Sequence, residues 1–194
     1  MLVEKRSRFV ASIGPVETQD SANFFYSNIK KLHYNAKHNA YAYVLSFDKF
    51  KSSDDGEPSG TAGKPILEVL KNKGLSNVIA VVSRYFGGVL LGKAGLVRAY
   101  SGAVSMALSN AKVVCMTFCS YCKVTFSYDL CNSILKLITS SGGVVSSKEF
   151  GEFVSLFFYI SVKDSKYLES KLKEISANKV KFSVLENKFF NLNS

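Results

Sequence analysis

Residues 54–98 read DDGEPSGTAGKPILEVLKNKGLSNVIAVVSRYFGGVLLGKAGLVR, and the fold turns on how this stretch is read. It holds two glycine-rich loops, Gly56-Glu57-Pro58-Ser59-Gly60-Thr61-Ala62-Gly63-Lys64-Pro65 and Phe86-Gly87-Gly88-Val89-Leu90-Leu91-Gly92-Lys93-Ala94-Gly95. Each is predicted to open a helix, with a buried strand between them. Loops this rich in glycine let backbone N–H groups come close to a ligand or to another backbone. The stretch therefore points to a site, without naming a reaction or a partner.

Working outward, Pro65 suits the first position of a helix carrying Ile66, Leu67, Val69 and Leu70 and stopped by Gly74. Residues 78–83, VIAVVS, are almost continuously apolar, as in a strand buried on both faces, and they deliver Arg84 to its end. A helix over 95–110 follows, with small residues at Ala99, Gly102, Ala103 and Ala107. Upstream, 7–16 reads as a strand. Thr18 caps a helix with a buried stripe of Ala22, Phe25, Ile29 and Leu32, and 40–47 reads as a second strand. Beyond Lys112 the pattern changes to a strand over 113–126, a helix with Leu130, Ile134, Leu137 and Ile138, a hairpin of 144–150 and 153–162, a helix with Leu168, Leu172 and Ile175, and a strand over 181–190. That β-α-β-β-α-β order is the split βαβ motif. The expected fold class is α+β, in two domains, 1–112 and 113–194.

The 194 residues are 47% hydrophobic and 21% charged, ordinary proportions for a globular core. The longest apolar runs have strand length, short of the roughly 18 residues of a membrane span. The opening MLVEKRSRF lacks the apolar core of a secretory signal, so a cytoplasmic protein without a membrane partner is expected. Net charge is +10, of which +7 falls in residues 1–112 (15 basic, 8 acidic). Such an excess attracts nucleic acid, anionic lipid or phosphorylated ligands, or else is a lysine-rich solvated surface. Four cysteines stand at 115, 119, 122 and 131. Cys119 and Cys122 have the spacing of a metal or redox pair, but in a strand positions three apart face opposite ways. They are read as small buried apolar residues, and no metal or cofactor is expected.

The first loop fails as a nucleotide-binding P-loop. Gly63-Lys64 is present, but Pro58 replaces the required leading glycine and Pro65 the hydroxyl residue. Lys64 and Lys93 nonetheless stand at helix starts, with Arg98 in an early turn. Helix N-termini disfavour cations, so negative charge is expected nearby. It is either an external anion such as phosphate or the internal carboxylates Asp54, Asp55 and Glu57. Ser59, Thr61 and Ser83 are candidate nucleophiles and His38 the candidate base, but no spacing joins them, so no catalytic set is assigned. Lys64, Arg84, Lys93 and Arg98, with His38, are expected to form one anion- or nucleic-acid-binding surface, Arg84 having the alternative of pairing with a loop carboxylate. Placing it at the strand ends follows the behaviour of open α/β sheets.

These residues carry a resemblance. Ser7-Arg8-Phe9, Ala36-x-His38-Asn39, the run from Asp54-Asp55-Gly56-Glu57-Pro58-Ser59-Gly60-Thr61 to Gly63-x-Pro65, Arg84-Tyr85-Phe86-Gly87-Gly88, and Leu91-Gly92-x-x-Gly95-Leu96-Val97-Arg98-Ala99-Tyr100-Ser101 resemble the Impact family in its bacterial stand-alone form, similar to the YigZ-type proteins. The resemblance implies a ribosomal protein S5 domain 2-like N-terminal domain and a ferredoxin-like C-terminal domain, like one in translational elongation factor G. It implies nucleic-acid (RNA) or ribosome binding for the bacterial form. For eukaryotic members it implies regulation of translation initiation through a protein partner. The S5-like fold is shared with a metabolite kinase superfamily, but Gly92-Lys93-Ala94-Gly95 lacks the serines of that superfamily's ATP loop. An enzyme acting on a phosphorylated small molecule at the glycine loops is the alternative reading, and a protein-interaction module a third.

Overall fold

The computed structural model describes residues 1–46 and 48–192. The chain divides into two compact units, Met1–Lys112 and Val113–Ser194, each with its own sheet and core. The described residues form a mixed α and β structure with two sheets and five α-helices.

The first unit runs β1 (Leu2–Glu4), β2 (Ser7–Pro15), α1 (Gln19–Leu32), β3 (His38–Val44), β4 (Phe50–Ser53), α2 (Gly63–Asn72), β5 (Val78–Tyr85) and α3 (Gly92–Ser109). Thr18 forms a full capping box with Ser21, each side chain bonded to the other's backbone. Leu32, expected in the buried stripe of α1, is instead 69% exposed, as the last residue of the helix. Pro65 is the third residue of α2, since Gly63 already begins the helix. The short strands β1 and β4 carry no clear alternation and were not expected. Of the strand expected over 40–47, β3 accounts for the part to Val44, and Phe47 lies outside the described residues.

The sheet order is β1-β2-β5-β3-β4, and every pairing is antiparallel. The buried apolar run of β5 is explained by its central position with helices on both faces. Val78, Ala80 and Val82 point into a core with Phe9, Ala40, Ala42, Ile66, Leu70, Leu96, Tyr100 and Val104. Ile79 and Val81 point the other way, against Val16, Ala22, Tyr43 and the α1 side chains Phe25 and Ile29. The rule that ligands gather at the carboxyl ends of strands belongs to parallel sheets. It does not carry over to this antiparallel one.

The second unit runs β6 (Thr117–Phe126), a single 3-10 turn, α4 (Cys131–Ser140), β7 (Val144–Phe150), β8 (Val154–Ser161), α5 (Val162–Ile175) and β9 (Lys181–Phe190). Its antiparallel sheet has the order β7-β8-β6-β9. Cys122, Val124 and Phe126 alternate into a core with Ile134, Ile138, Leu156, Phe158, Ile160, Leu168 and Leu172. Ile175 ends α5 42% exposed. Cys119 lies on the opposite sheet face from Cys122, as strand parity requires. Burial raises both thiol pKa values, that of Cys122 to about 11. Among the described residues no His, Cys, Asp and Glu group is arranged to hold a metal ion, and no helix is long and apolar enough to cross a membrane.

Candidate functional site

The loop after β4 folds over one end of the first sheet, and its three acidic side chains go three ways. Asp54 turns to the start of α2. One carboxylate oxygen accepts from the backbone N–H groups of Ala62 (2.9 Å) and Gly63 (2.8 Å), the other from Gly60 (2.9 Å). Desolvation works to raise its pKa, but these three bonds outweigh it and hold the carboxyl below the ordinary carboxylate range. The negative charge expected at this helix start is therefore internal. The cap is a side chain from nine residues upstream, and it occupies the amides that a phosphate would need.

Asp55 turns to the opposite face of the sheet. Its backbone is left-handed (φ 44°), a strained conformation for a residue with a side chain. Four contacts hold it there. Oδ2 accepts from the N–H of Asn39 at 2.7 Å, and Oδ1 receives the Tyr26 hydroxyl at 3.3 Å and the Lys30 ammonium at 3.4 Å. Its carbonyl oxygen accepts from His38 Nδ1 at 2.8 Å. That bond places the proton of neutral His38 on Nδ1, so Nε2 carries the lone pair.

Glu57 turns inward and is 7% exposed. Its Oε1 accepts from Arg84 Nη1 at 2.7 Å and from the Tyr100 hydroxyl at 2.8 Å. Arg84 is 5% exposed, its guanidinium lying between the rings of Phe9 (5.5 Å) and Phe86 (5.6 Å). Its buried Nε makes no hydrogen bond. Burial, and next the Glu57 charge, raise the Tyr100 pKa, so the hydroxyl keeps the proton it donates. Of the two roles open to Arg84, the structure has the internal ion pair. The guanidinium does not face solvent, and Arg84 is thus no part of an exposed anion-binding surface.

The glycines serve close approach of backbone to backbone. A methyl group on Gly63 would sit 2.7 Å from the Ser53 backbone, and on Gly87 2.1 Å from that of Arg6. Gly87 also donates its N–H to Ser7 Oγ at 3.1 Å, tying the second loop to the start of β2. Gly56 packs against the His38 ring, while Gly60, Gly88 and Gly92 have left-handed backbones with open space around them. Pro58 accepts from Thr61 through its carbonyl, both from N–H and from hydroxyl, which leaves Thr61 buried and engaged. Ser83 is buried too, donating to Asn39 Oδ1 at 2.6 Å. Ser59 remains exposed, and no hydroxyl bonds to His38.

The other cations are exposed. Lys64 lies 4.0 Å from Glu68 one turn along α2. Lys93 and Arg98 stand on the first turns of α3, whose start has no side-chain cap and no acidic residue. His38 and Arg84 are register partners across β3 and β5, though their side chains bond to different groups, and among the described residues no bond links Lys64, Lys93 or Arg98 to them. Beside the site lies a groove of about 420 Å³ lined by Lys30, Lys31, Lys37, Asn39 and Asp55. Its lysines were missed as site residues because none of them stands in or beside a glycine-rich loop. The run of three lysines flanking His33 and reaching His38 was the available signal.

Residues 5–108 match the family described as the Impact N-terminal domain. The chain belongs to the Impact family. The IMPACT family member YvyE of Bacillus subtilis is 37% identical over 180 residues, covering 92% of this chain and 83% of its own. YigZ of Escherichia coli is 31% identical over 186 residues, 94% and 91% of the two chains. A solved structure titled "Crystal structure of an hypothetical protein" aligns with a TM-score of 0.61 at 31% identity, covering 95% of this chain and 93% of that one. Mammalian proteins named IMPACT, that of Oryctolagus cuniculus among them, match over 47% of this chain and 30% of their own. In this Impact-family protein the signature loop is internally satisfied: Asp54 caps a helix, Asp55 braces the end of β3, and Glu57 neutralises a buried arginine.

Proposed function

We propose that this Impact-family protein is a cytoplasmic RNA-binding or ribosome-associated protein that acts on translation, and that it is not an enzyme. One observation carries the reading. The three carboxylates of the first loop, Asp54, Asp55 and Glu57, are engaged inside the fold, and no carboxylate lies in ion-pair range of Lys31, Lys37, Lys93 or Arg98 among the described residues. Such uncompensated cations favour a polyanion. Lys64 and His38 border the same unit and complete the proposed surface. The role in translation is supported by the resemblance, through its eukaryotic members. The domain assignments fit it as well: S5 domain 2-like for residues 1–112, and ferredoxin-like for 113–194 with its β-α-β-β-α-β order. The rival reading, an enzyme holding a phosphorylated small molecule at the first loop, loses its anchor to Asp54. A protein partner is favoured by one feature, the exposed Phe86, Val89 and Leu90 on the second loop.

The test is co-sedimentation with ribosomes, together with RNA binding at two salt concentrations. Binding is expected to weaken steeply with salt. Lys93→Ala and Arg98→Ala should each reduce the slope of log K against log salt by about 1. Absence of binding to ribosomes and to RNA at low salt would overturn the reading.

A further inference from the structure

The sheet of the second unit packs its helices on one face only. The other face carries an ordered row of aromatic rings. Tyr121 on β6 stands directly opposite Tyr159 on β8, and Lys123 opposite Phe157. The Tyr121 and Tyr159 rings stack at 4.6 Å and 23°, Tyr159 and Phe190 at 3.8 Å and 8°, and Tyr121 lies 6.2 Å from Phe157. Tyr121, Phe157 and Phe190 are each partly exposed. Two ammonium groups rest over the row, Lys188 at 5.5 Å from the Tyr121 ring and 5.4 Å from that of Tyr159, and Lys123 at 5.0 Å from Phe157. Lys181 joins the same face through its pairing with Thr125.

From this face we infer a binding site for single-stranded RNA, with Tyr121 and Phe157 as the base-stacking rings and Lys123 and Lys188 as the phosphate contacts. The inference rests on the RNA reading above but places a distinct site on the other unit. Three features favour this occupant. First, three of the four rings sit on the two central strands of a β-α-β-β-α-β sheet, Tyr121 on the first strand and Phe157 and Tyr159 at alternate positions on the third. RNA-recognition sheets use aromatic side chains in this way to stack two or three bases. Second, the rings are held rigid by stacking on one another, so a base landing on them orders little that is mobile. Third, the lysines are half-exposed and rest on ring faces. Each can swing to a phosphate as a base takes its place over the ring, exchanging one contact for another. Glu149 and Glu186 share the face, but each lies within reach of one of these lysines, Glu149 of Lys123 and Glu186 of Lys188. The three lysines leave the face net positive.

The experiment measures binding of a ten-nucleotide oligouridylate and of an RNA duplex of equal length to the full chain by fluorescence anisotropy. Wild type is expected to prefer the single strand by about tenfold or more. Tyr121→Leu and Phe157→Leu keep apolar bulk on the sheet but remove the ring. Each is expected to lose roughly tenfold in affinity, in line with the stacking of one base, at unchanged salt slope. Tyr121→Phe should bind as wild type, and thermal melts verify that every variant is folded. If wild type binds RNA, and Lys93→Ala or Arg98→Ala weakens it while the leucine variants bind normally, the stacking site is overturned and the RNA reading stands. If wild type binds no RNA at low salt, both fall.

Discussion

Arg84 and Glu57 show how burial decides the worth of a charge. The pair lies in the core of the first unit, where neither partner can be rehydrated if the other is lost. Arg84→Ala would strand a carboxylate with only the Tyr100 hydroxyl to hold it. Breaking a buried pair from one side costs about 3–5 kcal/mol. The urea midpoint should fall by that free energy divided by the slope of the transition, the slope itself being unchanged. Asp54 acts through acidity instead. Its folded pKa lies below the ordinary value, so its contribution is complete above the unfolded carboxylate pKa of about 3.9. It is lost as pH falls from there through the folded pKa. Asp54→Asn keeps the shape but halves the acceptors. The variant should be less stable than wild type at neutral pH, with the difference shrinking below about pH 4 in an acid titration followed by circular dichroism. The sequence made the acidic cluster visible and left its partners open, because nothing local tells Asp54 that it will meet the amides of 60, 62 and 63. Tyr100 as the second donor to Glu57 was hidden for the same reason, since it lies 43 residues along the chain from its partner.

At the scale of elements, the glycine loops behave as joints between backbones. The two most crowded positions differ in kind from the open ones. Gly87→Ala would drive a methyl into the Arg6 backbone, which cannot give way without moving the turn before β2. Gly60→Ala meets no atom and bears only a left-handed backbone (φ 75°), costing about 1–2 kcal/mol. The expected order is therefore Gly87→Ala well below Gly60→Ala in thermal stability, and equal melting temperatures would refute it. Helices with strong periodicity and caps were legible, as at Thr18 and the α1 stripe through Ile29, and so was β9 to both its ends. The strands β1 and β4 were not, because three or four residues at a sheet edge bury too little to impose alternation. The aromatic row of the second unit was also missed. Tyr121, Phe157 and Tyr159 each fit an ordinary strand pattern, and only the pairing of β6 with β8 lines them up.

Across the whole molecule, each unit has its own core, and the chemistry separates along the same division. The first unit holds the charges of Glu57 and Arg84 inside and leaves lysines outside, while the second offers rings on one face of its sheet. The antiparallel order of the first sheet has a further consequence. Neither β2 nor β3 bonds to the other; both bond to β5, which follows them in the chain. During synthesis the first seventy-odd residues emerge with only the short edge strands as partners, β1 for β2 and β4 for β3, and the sheet closes only once residues 78–85 have left the ribosome. Release of the nascent chain from this waiting state should be abrupt. Arrested chains displaying residues only as far as 77 should be cut readily by protease, and chains displaying residues as far as 112 should resist. Protection appearing gradually with length would mean that β2 and β3 find some other shelter first.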